Sequence, residues 1–369
     1  MKKLVSIFCA AALALSLAGC GAQAADTNTN TNTTAPVVST VYSLEDATVL
    51  TFTDSGITAQ DGGTGYEIDG TALTIDSAGI YAVTGTCADG SITIKEGTTG
   101  VTLVLNGLSL TSADTAPITC NKSTEVTIIA AEGSVNSLTD SARNNDDEYP
   151  DNEAAENAVI KCKDGSQVTL GGTGSLTITA NGKNGIKSGT TTAEEWEASL
   201  TIRELTLTIN APVNDAVNAE QTLNVESGTL TIAAADDALH SDLVLNIGAE
   251  GTEGPAITIT ECYEGIEGAE LNINSGDISI NSSDDCLNAA NSDLSGYDFT
   301  MTITGGTIVA YSASGDGFDS NGDLTITGVS VTVWTASTAD NRPLDADGTI
   351  TVSGGTVLAA GGSSGMGMN

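Results

Sequence analysis

Five short phrases of the sequence set carboxylates close around one apolar residue. They are PVNDAVNAE around Val217, AADDALHSD around Leu239, CYEGIEGAE around Ile266, SSDDCLNAAN around Leu287 and SGDGFDSNG around Phe318. Two positions before these anchors stand Asp215, Asp237, Glu264, Asp285 and Asp316. One position after them stand Asn218, His240, Glu267, Asn288 and Asp319, with Asp345 following Leu344 in the same frame. Glu220, Asp236, Asp242 and Asp284 flank these places. Carboxylates, amide oxygens and backbone carbonyls beside glycine are hard donors, which suit Ca²⁺ and not soft metals. No CxxC or Cys/His spacing occurs and there is one histidine, which argues against zinc. That histidine, His240, stands where other repeats carry Asn or acid, with no Ser/His/Asp spacing around it. It reads as a member of the row and not as a general base.

The frame extends back to Ile186 and Ile160 and forward to Leu344, and from Ile186 onward the anchors lie 21 to 31 residues apart. Between them run TLTI, LTITA, TLNV, LNIN, ISIN and MTIT, which alternate β-branched or leucine residues with polar ones. Such period-two strings read as strands, and one repeat cannot bury its own apolar face without stacking on the next. The expected fold is all-β, a right-handed parallel β-helix (β-solenoid) of at least seven turns with an N-terminal capping β-region. Val217, Leu239, Ile266, Leu287 and Phe318 should form one buried column. Gly172, Gly228, Gly276, Gly306 and Gly355 fall between strands, where turns need positive φ. Asn218 and Asn288 suit amide ladders between turns. Stacking also sets the acids one above another about 4.8 Å apart. Two carboxylates at about 5 Å repel by roughly 3 kcal/mol at an effective dielectric near 20. The column must raise its pKa values, bind cations, or splay into solvent.

Along the chain, residues 1–19 read as a secretion leader, with Lys2 and Lys3 before an apolar stretch too short to span a membrane. Leu17-Ala18-Gly19-Cys20 resembles the bacterial lipoprotein processing box, which implies lipidation of Cys20 and a place on the extracellular face of the cell membrane. Residues 20–41 are a Thr/Asn-rich tether. Residues 42–130 read as antiparallel or capping strands and the first turns, and 131–369 as the repeat body. Residues 134–157 break the rhythm with an acidic run, either a solvated loop or a cation-binding flap. AEEWEA at 193–198 is the one helical turn expected in the body, and the end GGSSGMGMN carries no evident cap. Cys120 and Cys162 each follow an anchor by two residues, which allows either a bridge or a reduced pair.

The formal net charge of −37 excludes a nucleic-acid partner, which needs a basic patch. Aromatic residues are 4% of the chain, too few for an aromatic-lined groove. Aligning GDISIN, GTIVAY and VSVTVW puts Tyr311 and Trp334 on successive turns, a strip suited to stacking on sugar rings or to packing under the C-terminal segment. Lys161 and Lys187 stand where later turns carry Asn, His or acid.

The segments VTLVLNGLSLTSAD, NDAVNAE, DDALHSD, YEGIEG, DDCLNAA and GDGFDSNG are similar to a family of bacterial carbohydrate-binding β-helix proteins, secreted or lipid-anchored and shaped like pectate lyases. The likeness covers roughly residues 42 to 365. It implies bound Ca²⁺ and recognition of plant-wall polysaccharides, acidic ones included. Three readings follow: a non-catalytic polysaccharide-binding surface protein with Tyr311, Trp334 and Lys187 as glycan contacts; a calcium-dependent polysaccharide lyase using Lys187, Arg203 or Arg342 as base; or a structural adhesin or spacer. A monomer is expected.

Overall fold

The computed structural model describes residues 43–60, 62–192, 197–336 and 341–362. The leader, Cys20, the whole tether, most of AEEWEA and the final SSGMGMN lie outside the described residues. The fold is all-β: apart from a 3-10 turn at Leu44–Asp46, the regular elements among the described residues are 31 strands.

These strands stack mostly in parallel, in three ladders that recur once per repeat. The first holds the anchors. Register pairing carries it from Leu73 through Ile92, Ile118, Ile160, Ile186, Val217, Leu239, Ile266, Leu287 and Phe318, with Leu344 bridging to Phe318. All of them but Leu344 are fully buried. The second ladder stacks Val126, Val168, Leu200, Leu223, Leu245, Leu271, Met301 and Leu324. In the third, Leu176, Leu207, Leu230, Ile257, Ile278, Ile308 and Val331 follow one another. Alternation explains all three: Ser175–Thr179, Thr206–Ala211 and Thr229–Ala234 turn Leu and Ile inward and leave mostly Ser and Thr outside. Each inward aliphatic side chain contributes about 1.5–3 kcal/mol on burial.

Between the second and third ladders the corners are tight. Gly228 and Gly306 have φ of +103° and +96°, and a Cβ at Gly306 would come within 2.4 Å of the Gly276 carbonyl oxygen on the preceding repeat. Positive φ and backbone approach both demand glycine there.

Two local expectations are corrected. Antiparallel pairing is confined to Thr48–Thr53 with Gly56–Ala59 and Tyr66–Asp69 with Ala72–Ile75. Gly79–Cys87 and Ser91–Ile94, expected to be antiparallel or capping strands, already stack in parallel on the next repeat, because Leu73 and Ile92 fall in the anchor register. Asn218 and Asn288 make no amide ladder, since their register partners are Lys187, His240, Glu267 and Asp319. The ladder runs instead through Asn224, Asn246 and Asn272, with the Asn246 amide donating to the Asn224 side-chain oxygen at 2.9 Å and the Asn272 amide to that of Asn246 at 3.1 Å. The run at 134–157 exposes Asp146, Asp147, Glu148, Asp151 and Glu153 but is fastened by buried Asn144, whose amide donates to buried Asp140 and to the Ala158 carbonyl, and by Asn152, which donates to the Asp114 and Arg143 carbonyls. Cys120 and Cys162 stack in register as free, buried thiols.

Leu287 tests the register. Leu287→Asp buries a charge in the stacked core, so it should abolish the β-sheet circular dichroism signal and the cooperative melt, while Leu287→Ala should cost about 2–5 kcal/mol. A folded Leu287→Asp protein with an unchanged spectrum would contradict the column.

Candidate functional site

The turn from the third ladder into the first carries the acids, and backbone hydrogen bonds set their rows. The residue just before each anchor donates its N–H to the carbonyl of the acid one repeat on: Ala216 to Asp237 at 2.9 Å, Ala238 to Glu264 at 3.1 Å, Gly265 to Asp285 at 2.9 Å and Cys286 to Asp316 at 3.2 Å. At Gly265 the approach is closest, since a Cβ there would meet the Cys286 carbonyl oxygen at 2.2 Å. Some carboxylates then cap the next repeat. Asp215 accepts from the Asp237 N–H at 3.1 Å, Asp285 from the Asp316 N–H at 2.5 Å, and Asp316 from the Arg342 N–H at 2.6 Å. Asp215, Asp237, Glu264, Asp285 and Asp316 therefore stand in one column, Asp215 and Asp237 of them buried.

The row one place after the anchors lies beside this column. Register pairing orders it Thr119, Lys161, Lys187, Asn218, His240, Glu267, Asn288 and Asp319. Asn218 donates to Asp215 at 2.7 Å and Asn288 to Glu264 at 2.8 Å. His240 lies 2.9 Å from Asp237 through Nδ1, 2.9 Å from Asp242 through Nε2 and 3.5 Å from Glu267. Glu220 is taken up by Lys187 at 3.4 Å. Arg342 closes the acid column at its far end, with its guanidinium on both oxygens of Asp345 at 2.6 Å.

A third row, three before the anchors, runs Asp236, Tyr263, Asp284 through backbone bonds. Tyr263 was missed in the sequence, although counting back from Ile266 would have found it. It is 48% exposed between two acids, and its hydroxyl donates to Asp284. Tyr311 and Trp334 do fall on successive strands, with ring centroids 5.7 Å apart and planes at 37°. Trp334 is 40% exposed, although Ala360 of the last strand stacks next to it.

Burial pushes Asp237 up to about 7, with the charges of Asp215 and Glu267 adding to it. Glu264 rises to about 9, first from burial and then from Glu267 and Asp237. Asp285 rises to about 7 from burial and from Asp319, Asp284 and Asp316. Asp215, Asp316 and Asp319 are raised as well, burial being the main cause in each. Burial works against a charge on His240, yet its hydrogen bonds to Asp237, Asp242 and Glu267 push it up to about 12. His240 is thus an internal cation.

Three groups bring ligand atoms within 4.8 Å of one another: Asp215, Asp236 and Asp237; Asp237, His240 and Glu267; and Asp316, Asp319 and Asp345. The first and last offer oxygen only.

Residues 69–247 match a family model described as "Carbohydrate-binding domain-containing protein". That span includes the anchors from Leu73 to Leu239 and stops short of Glu264, Asp285, Asp316 and the aromatic pair. A protein of the same description from Acetivibrio thermocellus is 34% identical over 123 residues, 33% of this chain and 42% of the relative. The chain thus spans less than half the length of that relative. A solved polysaccharide lyase-like protein from C. thermocellum, a gadolinium derivative, is similar at 22% identity with a TM-score of 0.49, over 84% of this chain and 100% of that one.

The raised carboxylates set a pH dependence. Their folded pKa values lie above the unfolded ones near 4, so the folded state binds more protons between about pH 4 and 9. The stability they contribute is present below pH 4 and is lost as pH rises through about 7 and 9. In chelator, the melting temperature should fall from pH 5 to pH 9, and less steeply in Glu264→Gln. A flat profile in wild type would contradict the stacked, buried column.

Proposed function

We propose that this chain is a non-catalytic, calcium-binding surface lipoprotein that binds polysaccharide, built as a right-handed parallel β-helix. The observation that carries the reading is the part-buried column of carboxylates, aligned once per repeat and raised in pKa where it is most crowded. A column of that kind is relieved by holding protons or by taking up positive charge from outside, and its donors are oxygen. Asp215, Asp236 and Asp237 fit Ca²⁺ best, because all three donors are carboxylate oxygens and His240 reaches only one of them, Asp237. At Asp316, Asp319 and Asp345 an ion would compete with Arg342. Asp237, His240 and Glu267 fit poorly while His240 holds its proton. Bound Ca²⁺ would supply the charge that relieves the column and attracts carboxylates of an acidic glycan.

Polysaccharide as the ligand class is supported by the family match over residues 69–247 and by exposed Tyr263 and Trp334 on or beside the acidic turns. Flat rings next to polar rows suit sugar faces. Lipidated Cys20 and the tether to residue 41 would hold the body at the outer membrane face.

Pull-down on insoluble cellulose and on calcium-gelled pectate, with and without chelator, tests the reading. Retention on at least one glycan, with no ultraviolet-absorbing unsaturated uronide released, is the expected result. Absorbance growing with time would turn the protein into a lyase, and retention on neither glycan would leave a spacer.

A further inference from the structure

Lys161 and Lys187 occupy the row that later carries Asn218, His240 and Glu267, on the two repeats just before it. The strands Ala158–Cys162 and Asn184–Ser188 put them in direct register, with Thr119 on one side and Asn218 on the other. Both are half-buried. In a chain of net charge −37, a lysine in such a place would ordinarily have a carboxylate of its own. Lys187 has Glu220 at 3.4 Å. Lys161 has none: Glu156, the other acid near it, is held by Lys163 at 2.6 Å, and among the described residues the Lys161 ammonium makes no ion pair or hydrogen bond. Burial first, and Lys187 next, lower its pKa, which is the mark of a cation short of an anion.

Two half-buried lysines in direct register on adjacent strands, with Glu220 paired to Lys187 and Glu156 to Lys163, are a cost that the charges of these two acids recover only in part. An external anion recovers it. From the geometry we infer that Lys161 and Lys187 form a subsite for a carboxylate of an acidic glycan lying along the outward row. This inference rests on the polysaccharide reading above. A glycan strand on that row meets ammonium groups at Lys161 and Lys187 and amide, imidazolium and acid from Asn218 onward. The two lysines bind a uronate directly, without a metal ion, whereas the later repeats need one.

Isothermal titration with sodium polygalacturonate, its fully methyl-esterified form and dextran sulfate separates these points, using wild type, Lys161→Met and Lys161→Arg in calcium and in chelator. Wild type should bind polygalacturonate and neither the methyl ester nor dextran sulfate comparably. Lys161→Met should weaken that binding about tenfold or more in chelator and less in calcium, while melting at or above the wild-type temperature. Lys161→Arg should retain most of it. Polygalacturonate binding by Lys161→Met equal to wild type in both buffers would overturn the subsite and leave the glycan reading standing. Equal binding of the methyl ester or of dextran sulfate would overturn the carboxylate. Wild type binding none of the three would overturn subsite and acidic-glycan reading together.

Discussion

In-register parallel stacking is the constraint on which everything else in this molecule depends. Once Val217, Leu239, Ile266, Leu287 and Phe318 lie one above another, every residue at a fixed offset from them is stacked too. For inward leucines and isoleucines this is favourable, at about 1.5–3 kcal/mol for each side chain. For the acids two places earlier it is not, since each adjacent pair of charges costs roughly 3 kcal/mol at an effective dielectric near 20. The same hydrogen bonds that align the core align the repulsion. The two effects are of similar size, so the acid column cannot remain fully charged and uncompensated.

The chain compensates it unevenly. At Asp237 and Glu267 an imidazolium stands between the carboxylates. Beside the column, a guanidinium pairs with Asp345 and an ammonium with Glu220. Backbone N–H groups serve Asp215, Asp285 and Asp316. Glu264 accepts from the Asn288 amide and shares a hydrogen bond with the carboxylate of Glu267, and it carries the highest carboxylate pKa of the column.

Period-two strings and the offset of acids from apolar anchors made the ladders and the acid column readable in the sequence. These are one-dimensional signals, and stacking converts an offset directly into a neighbour. Side-chain partners were not readable in that way. Asn218 and Asn288 looked like ladder amides, but an amide ladder needs amides in successive registers, which only Asn224, Asn246 and Asn272 provide. Tyr263 was hidden because the acids around it drew the count to Glu264. The direction of Gly79–Cys87 was misjudged because alternation and glycine turns are common to hairpins and to parallel repeats. The identity of any bound ion or sugar is a property of three-dimensional donor sets, which offsets alone do not specify.

Calorimetric melting of the wild-type protein at pH 7, in chelator and across a calcium titration, tests the central claim most directly. A cation that binds only the folded ladder should raise the melting temperature steadily with calcium, each site adding about 2.7 kcal/mol at a hundredfold excess over its Kd. Asp285→Asn should respond less and melt higher than wild type in chelator, because it removes a ligand and a repulsion together. A melting temperature that ignores both calcium and chelator, in wild type and variant alike, would contradict the account.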